Sequence, residues 1–475
     1  RKVVVVEKLA RPGGALKRFR RNGIAFDVGF HATGGLGKGE ILSSLWSYCG
    51  ALPDLKVIPF PEESCDLFEF DDFDRPVRAY FAHERYVDEL LRVFPREREA
   101  VAAYFRRVEE VCATLPFYHT ELPLTPYLRT PPEPHRHLVE YLAELTSDPI
   151  LQAVLAAPLY LYGVPSREAS FEIHAQVIHG YHQGTYVVDG GGQAVVDAFL
   201  GSLKRLGVDV VTGETVNAVV TADGRVAGLT AESGWGAEAG DVVHTGHPAD
   251  LLTLLPESLF RSSYRRRLRS LEPSASFFML FGAAARPPDP EALAWTNWYR
   301  FRSGLDILPA APDAPPKDRG MMLNCPGRRD VKELEANRDG VILFEPAYWQ
   351  DVEAFEASRR GSRPQAYREY KERLTDQMLA TAKKNWGHLC GDIEPLAVGT
   401  PLTFRDELSA HGGAAYGASH GLGQRTPYVR TKVPGLWLSG QSTLMTGIIS
   451  ASLAGMVTAG EMVGLEELWE EVREC

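Results

Sequence analysis

The opening stretch, residues 1–35, constrains the fold more than any other part of the chain. It begins with the β-branched run Val3–Val6, which is too short for a helix and too apolar for an exposed loop. Such a run is typical of a buried strand in a parallel sheet. The predicted strand ends on Glu7, and a Gly13–Gly14 pair follows, with Arg11 just before it. In a dinucleotide-binding βαβ unit the second strand ends on an acidic residue that accepts hydrogen bonds from the adenosine ribose, so Glu7 is a candidate for that contact.

Two later features of this stretch extend the pattern. The segment Phe26–Gly29 follows the glycine pair, and His31 stands four residues after Asp27. Together with Val-Val-Glu-Lys and the glycine pair, the sequence FDVGFHATGG resembles FAD-dependent oxidoreductases of the glutathione-reductase type. Within them it is most similar to the phytoene desaturase, carotenoid isomerase and retinol saturase group. The resemblance implies an FAD cofactor, with contacts from Glu7, Lys8, Arg11, Gly13, Gly14, Asp27, Gly29 and His31.

The family places a strand, a G-x-G-x-x-G turn and a helix before this point. The chain begins at Arg1 without an initiator Met. From the spacing between that turn and the acidic residue, we expect roughly 25 residues of the natural protein to be absent. The resemblance implies that those residues supply backbone donors for the pyrophosphate.

A second match lies in the middle of the chain. A glycine turn, Gly190–Gly192, precedes a helix predicted over Ala194–Leu206, and strands are predicted at Val208–Val211 and Glu214–Val220. Glycines before a helix leave its N-terminal N–H groups free. The resemblance implies that the backbone around Val216 contacts the adenine ring.

A third match lies near the C-terminus. A short strand, Leu436–Leu438, leads through Gly440 into a helix predicted over Ile449–Val463. The N-terminus of such a helix carries partial positive charge, which stabilises the negative charge of a reduced flavin. The resemblance implies cofactor contacts at Gly440, Gln441, Gly447, Ile448 and Ile449. The family often carries an acidic residue where this chain has Gln441, as retinol-saturase-like members also do.

The three segments that resemble the family occur in the same order along this chain as in the family, and the resemblance implies an α/β protein. We expect an FAD-binding Rossmann-like domain of the glutathione-reductase and amine-oxidase type, interleaved with an α+β substrate domain. The expected FAD-binding domain comprises residues 1–58, 183–258 and 396–475, and the expected substrate-binding domain comprises residues 59–182 and 259–395.

The substrate domain is predicted to combine a helical insertion with a mixed sheet. The insertion covers about Val87–Glu144, where apolar residues recur at helical spacing. Ile150–Val164 is predicted as a helix that is apolar nearly all round, which indicates core packing or the wall of a tunnel for a long hydrophobic substrate. Residues 270–395 predict a mixed sheet covered by an amphipathic helix, Pro364–Leu389.

Composition excludes several classes of protein. The net charge of −11 argues against nucleic-acid binding, which needs a basic surface. The six cysteines form no C-x-x-C pair and no zinc-like spacing with histidines, so no metal site is predicted. No stretch is long and apolar enough to span a bilayer, and we expect a cytoplasmic protein. The basic runs Lys17–Arg21 and Arg265–Arg267 leave open a peripheral contact with anionic lipid, and the oligomeric state stays open.

The leading functional hypothesis is an FAD-dependent oxidoreductase that desaturates, saturates or isomerises carbon–carbon double bonds of a lipophilic polyene or isoprenoid. An amine oxidase-like flavoenzyme is an alternative. Another is a flavin-free prenyl- or lipid-binding protein of the Rab GDP-dissociation-inhibitor type, which shares the fold. The retained Glu7, the glycine pair and the Gly440–Ile449 segment favour a flavoenzyme. The candidates for a catalytic acid or base are His31, Glu172, His174 and Asp406.

Overall fold

The computed structural model describes residues 2–129, 135–284, 290–335 and 339–475. Part of the predicted helical insertion, residues 130–134, therefore lies outside the described residues. The strands are β1 (Val4–Glu7), β2 (Arg18–Arg21), β3 (Ile24–Asp27), β4 (Val57–Pro59), β5 (Cys65–Phe70), β6 (Phe73–Tyr80), β7 (Tyr186–Val188), β8 (Asp209–Thr212), β9 (Val216–Ala222), β10 (Arg225–Ala231), β11 (Gly236–Glu238), β12 (Val242–His244), β13 (Ser276–Ala284), β14 (Thr296–Phe301), β15 (Met321–Asn324), β16 (Gly340–Ala347), β17 (Ile393–Gly399) and β18 (Leu436–Leu438).

The helices fall mainly between these strands, as in an α/β protein. They are α1 (Ile41–Tyr48), α2 (His83–Val93), α3 (Arg98–Cys112), α4 (Leu124–Arg129), α5 (Leu138–Leu145), α6 (Pro149–Ala156), α7 (Leu159–Tyr162), α8 (Phe171–Gln183), α9 (Gly191–Arg205), α10 (Leu251–Leu254), α11 (Ser262–Arg269), α12 (Pro290–Ala294), α13 (Val331–Glu335), α14 (Gln365–Cys390), α15 (Pro401–Leu408), α16 (Gly447–Val463) and α17 (Leu465–Arg473). Within the described ranges, no helix combines the length and hydropathy needed to cross a bilayer.

A seven-stranded sheet is the main element of the predicted substrate-binding domain. Its strand order is β17-β13-β16-β15-β14-β5-β6, and the neighbours are antiparallel except for the parallel pair β14–β5. The long helix α14 covers one face, where Phe278 and Leu280 pack with Trp386. Phe277 and Phe344 belong to the other face, which packs toward the helical insertion. The predicted mixed sheet with a covering helix is confirmed.

The boundary expected between residues 395 and 396 falls inside strand β17. This strand pairs with β13 from Ile393 to Gly399, so its residues belong to one sheet. The division of the chain into domains is taken up again below as a proposal.

The first strand is parallel, as predicted, but it is not buried. β1 pairs with β8 from Val4 to Glu7 in a two-stranded sheet. Val3 is 48% exposed and Val4 is 37% exposed. The prediction of burial was wrong because, among the described residues, β1 has a strand on one edge only and lacks the covering layers that bury a central parallel strand.

The apolar stretch Ile150–Val164 forms two helices rather than one. Asp148 caps α6 by accepting hydrogen bonds from the N–H groups of Ile150 and Leu151. The helical run is interrupted at Pro158, which is the N-cap of α7. Most of the stretch is buried in the largest core cluster, but Tyr160, Leu161 and Tyr162 also line the main cavity. Both roles predicted from the sequence, core and cavity wall, are therefore present.

Candidate cofactor and substrate site

One cavity of about 1410 Å³ runs between the seven-stranded sheet and the elements that follow the short parallel strands. Sites for a single small ligand usually enclose about 300–1000 Å³, so this cavity has room for more than one molecule. One end, which we call the dinucleotide end, is formed by Gly14, the loop after β12, Gln441 and the start of α16. The other, the substrate end, is formed by the inner face of the sheet and by α8.

The dinucleotide end lies where two parallel strands finish. β12 and β18 pair in parallel, His244 opposite Leu438. The cavity-lining residues Thr245–His247 and Gln441 come shortly after those strand ends. In open α/β sheets, ligands bind at the carboxyl ends of parallel strands.

The N-terminus of α16 opens onto this end. Its N-cap, Thr446, makes no side-chain capping hydrogen bond, because its hydroxyl donates to the Tyr416 carbonyl at 2.9 Å. Gly447, the first helical residue, has φ +89°, and a Cβ there would meet nothing within 4 Å. Gly14, which also lines the cavity, has φ +51° and equally open space at the position of a Cβ. The free N–H groups and the partial positive charge of this helix end suit an anionic or electron-rich ligand.

A histidine pair lies at the same end. The His247 and His411 rings stack at 4.0 Å, and the His411 Nε2 donates to Asp250 Oδ1 at 2.6 Å. Burial lowers the pKa of His247 to about 4, so its imidazole is neutral at pH 7. The Nε2 atom of His247 is buried without a hydrogen-bond partner. Buried polar atoms are rarely left unpaired, so this atom is available to a ligand.

At the substrate end, His31 is the only one of the four predicted acid or base candidates that lies on the cavity wall. Both of its ring nitrogens are buried without partners, and its ring meets the Phe344 ring edge-on at 5.4 Å. Burial, reinforced by the nearby Arg329 and Arg18 charges, lowers its pKa to about 4. The neutral ring can donate one hydrogen bond and accept one.

A group of polar residues that the sequence analysis missed lies beside His31. Asp66, Asn297, Asn324 and Arg329 all line the substrate end. Asn297 Nδ2 donates to Asp66 Oδ1 at 2.7 Å, and Arg329 Nη2 donates to Asn297 Oδ1 at 2.9 Å. Burial raises the pKa of Asp66 to about 7. One signal in the sequence could have indicated these residues. Asp66 and Asn297 each stand between less polar neighbours on a strand, and the alternation of side chains along a strand places each of them on one face of the sheet.

Comparison with known proteins identifies the family. Residues 1–324 match the family described as flavin containing amine oxidoreductase, which is more than half of the chain. The chain belongs to this family. It is 24% identical over 526 residues to all-trans-retinol 13,14-reductase of Rattus norvegicus, a match covering 100% of this chain and 83% of that protein. It is 23% identical over 493 residues to prolycopene isomerase 1, chloroplastic, of an Oncidium hybrid cultivar, covering 96% and 79%.

Solved structures show the same fold. The crystal structure of an oxidoreductase from Methanosarcina mazei has a TM-score of 0.65 and 15% identity, and covers 96% of this chain and 94% of that one. Wild-type putrescine oxidase bound to putrescine has a TM-score of 0.59 and 16% identity, covering 97% and 93%. The predicted fold class, the FAD cofactor and the oxidoreductase class of this flavoenzyme are confirmed.

The residues present at the dinucleotide end fit FAD. The open helix N-terminus, the glycines without side chains and the unpartnered His247 Nε2 are suited to a ligand rich in phosphate and carbonyl oxygens. Of the predicted cofactor contacts, the cavity wall includes Gly14, Gly29, His31, Gln441, Gly447, Ile448 and Ile449.

The other predicted cofactor contacts lie away from the cavity wall. Glu7 ends β1, half-buried, and its carboxylate accepts a hydrogen bond from Leu9 N at 2.7 Å. Lys8 is exposed and donates to the Ser409 hydroxyl at 3.2 Å. Arg11 is exposed, Val216 begins β9, and Gly440 follows β18 in the turn before Gln441.

Gly13 and Asp27 have roles within the fold. A Cβ on Gly13 would lie 2.6 Å from a Val196 methyl group, so this glycine allows close packing against α9. Asp27 is buried and accepts hydrogen bonds from Arg18 Nη2 at 2.7 Å and from Gly192 N at 3.2 Å. These contacts tie β3 to β2 and to the start of α9.

Three of the predicted acid or base candidates are not brought to the cavity. His174 is buried, donating from Nε2 to the Leu155 carbonyl at 2.8 Å and accepting at Nδ1 from the Tyr162 hydroxyl at 3.0 Å. Glu172 accepts from Arg136 N at 2.9 Å. Asp406 is paired with arginines, including Arg363 and Arg405. Their polar groups are occupied by structural contacts, which leaves His31 as the candidate at the site.

Proposed function

We propose that this flavoenzyme acts on carbon–carbon double bonds of a lipophilic polyene or isoprenoid, by desaturation, saturation or isomerisation. The observation that carries the proposal is the substrate end of the cavity, whose walls are mainly apolar and continuous with the dinucleotide end. The names of the relatives support it, because one is a retinol reductase and another a prolycopene isomerase. The residues of the apolar wall include Tyr160, Phe277, Met279, Tyr299, Met322, Phe344 and Phe404.

The chain's own residues supply binding, orientation and exclusion of water. The α16 N-terminus, Gly14, Gly29 and Gln441 would hold the cofactor at the dinucleotide end. Glu7 ends β1 away from the cavity wall, so its proposed contact with the ribose would lie outside this cavity. When bound, the flavin supplies transfer of hydride or electrons. His31 would face the reacting region as a neutral donor or acceptor, and the aromatic wall would keep it dry.

Amine oxidation is the competing activity, and the charges at the substrate end disfavour it. A protonated amine is stabilised by a neighbouring carboxylate or by aromatic ring faces and is destabilised by another cation nearby. Here the buried Arg329 guanidinium lies in the same network as Asp66, linked to it through Asn297. A second cation at this place would be repelled.

A turnover assay tests the proposal. The FAD-loaded protein is incubated with all-trans-retinol or with tetra-cis-lycopene, with and without prior reduction of the flavin, and the products are separated by chromatography. Putrescine serves as the amine control. We expect a saturated, desaturated or isomerised polyene and no oxidation of putrescine. Oxidation of putrescine with unchanged polyenes would overturn the proposal.

The cofactor contacts and the domain division belong to the same proposal. Residues 1–58, 183–258 and 400–475 would form the FAD-binding domain, and residues 59–182 with 259–399 the substrate domain, with the last boundary placed after β17 because that strand belongs to the seven-stranded sheet. Limited proteolysis with and without FAD tests this division. Peripheral membrane contact stays a prediction.

Glu7→Ala is expected to weaken FAD retention, whereas exposed Glu470→Ala is the control. Equal FAD retention by both variants would remove Glu7 from the cofactor site.

A further inference from the structure

A row of polar side chains crosses the inner face of the seven-stranded sheet. Asp66 on β5 is the register partner of Asn297 on β14. Asn324 on β15 lies one residue beyond the Trp298–Leu323 pair, which places it beside Asn297. Alternate residues of a strand share a face, and all three polar residues line the cavity. The next row on this face consists of Tyr299, Met322 and Phe344.

Arg329 completes the row as a buried cation. Its Nε donates to the Ala294 carbonyl at 2.6 Å, its Nη2 donates to Asn297, and its guanidinium lies over the Phe60 ring at 4.9 Å. The residue is 4% exposed, and its Nη1 is buried without a partner. Among the side chains that the structure describes, no carboxylate oxygen lies within 4.0 Å of this guanidinium. A buried charge without a counter-ion is unfavourable for the folded protein.

Asn324 presents the same problem with an amide. The residue is fully buried, and neither its Oδ1 nor its Nδ2 has a hydrogen-bond partner. Native proteins satisfy nearly all buried polar atoms, so unsatisfied ones call for a specific reason. The Arg329 Nη1 and the Asn324 Nδ2 are both donors on one cavity wall. A carboxylate offers two acceptor oxygens and a counter-charge in direct contact, which Arg329 lacks because Asp66 reaches it only through Asn297.

We propose that Arg329 and Asn324 form a carboxylate pole that binds the ionised acid group at the end of an elongated apolar substrate. The chain of that substrate lies along the adjoining aromatic and apolar row. Asn297 and Asp66 are positioning residues: Asn297 accepts a hydrogen bond from the Arg329 guanidinium, and Asp66 in turn accepts one from Asn297. The inference rests on the proposed function and adds the polar end group to the substrate class.

Two retinoids that differ only at the polar end provide the test. All-trans-retinoic acid carries a carboxylate, whereas all-trans-retinol carries a hydroxyl. Dissociation constants for both are measured on the FAD-loaded protein by quenching of tryptophan fluorescence, with sodium acetate as a carboxylate that has no chain. We expect the acid to bind at least about tenfold more tightly than the alcohol, as for hydrogen bonds to charged groups. Acetate is expected to bind far more weakly than either.

Two variants locate the effect. Asn324→Leu removes an amide that has no partner within the protein, so it is expected to fold as well as the wild type. This substitution should weaken the binding of retinoic acid by about fivefold and leave the affinity for retinol nearly unchanged. Arg329→Met should weaken the binding of retinoic acid by about thirtyfold or more. Arg302→Met, at an exposed arginine paired with Asp313, is the matched control and should change neither constant.

The outcomes separate the two proposals. If neither retinoid binds to the wild type, the polyene function fails. If retinol binds and the acid shows no preference, or if Asn324→Leu leaves the acid unaffected, the carboxylate pole is wrong while the polyene function stands. If the variants instead release FAD or shift its absorbance while the acid affinity is unchanged, these residues contact the flavin, and the carboxylate pole is again wrong.

Discussion

The two ends of the cavity are built from different parts of the chain. The dinucleotide end uses mainly backbone: glycines at 14 and 447, loops after short parallel strands, and the open N-terminus of α16. The substrate end uses side chains, aligned across strands of the seven-stranded sheet. The backbone end suits a cofactor whose phosphates and carbonyls need N–H donors. We expect the side-chain end to select the substrate, because its polar row and its apolar row bind different chemical groups.

The largest expected effect is a loss of stability at Asp27, which was predicted as a cofactor contact but has a role within the fold. Asp27→Ala removes the carboxylate that accepts from both Arg18 and the α9 N-terminus. Breaking a buried ion pair on one side is expected to lower the free energy of unfolding by about 3 kcal/mol. Urea denaturation of the FAD-free protein measures it. An exposed carboxylate, Asp376→Ala, is the control, and an unchanged midpoint for Asp27→Ala would contradict the structural role.

A substitution at the dinucleotide end should act on the cofactor rather than on the fold. Gly447→Val places a branched side chain at positive φ in the open space before α16. The strain is about 1–3 kcal/mol, and the side chain would fill the cofactor space, so FAD retention is expected to fall by at least about tenfold. Gly455→Ala, at an exposed position in the same helix, is the control. Full retention of FAD by Gly447→Val after gel filtration would place the cofactor elsewhere.

At the substrate end the prediction is reversed, because removing a polar side chain should stabilise the protein. Asn324→Leu eliminates two buried polar atoms without partners. The free energy of unfolding of the ligand-free protein is expected to rise by about 1 kcal/mol. Asn297→Leu is the contrasting variant, because its amide is hydrogen-bonded to Asp66 and Arg329 and its loss should destabilise. A lower melting temperature for Asn324→Leu would mean that its amide has a partner.

The smallest effect concerns pH. Asp66 has a pKa raised to about 7 by burial, so its carboxyl is mainly protonated at pH 6 and mainly ionised at pH 8. The ionised form repels a ligand carboxylate at the neighbouring Arg329, so retinoic acid should bind about fivefold more tightly at pH 6 than at pH 8. The other groups facing Asp66 keep their charge over this range: Arg329 stays protonated, His31 stays neutral, and Tyr86, Tyr181 and Tyr299 stay neutral because burial raises their pKa.

Two controls accompany the pH prediction. Retinol carries no charge, so its affinity should be flat between pH 6 and pH 8. Asp66→Asn should remove the pH dependence for retinoic acid while keeping the hydrogen bond to Asn297 within reach. Equal pH dependence for both retinoids would assign the effect to another group.

The difference between the two ends also explains what the sequence could predict. Gly14, Gln441 and Gly447 lie in short local motifs, and the strand Leu436–Leu438 was predicted with its observed bounds. The polar row was missed because Asp66 lies more than two hundred residues before its other members along the chain, and only the sheet register brings Asp66 beside Asn297.

Two other differences have local causes. The run Val3–Val6 has the composition of a buried strand, but exposure depends on which layers cover it, and composition carries no information on that. Ile150–Val164 was predicted as one helix, and Pro158 divides it since proline lacks the N–H that a helix interior needs. Glu172, His174 and Asp406 have the chemistry of catalytic groups, and only the fold shows their structural partners.

The most direct test of the whole account is FAD binding by this chain. The purified protein is incubated with excess FAD and passed through a desalting column, and the absorbance of the protein fraction is recorded. The account predicts flavin bands near ~450 nm at about one FAD per chain, because the cofactor carries the chemistry and the protein positions it. A colourless protein fraction that still binds retinoids would contradict it and would indicate a flavin-free lipid-binding protein.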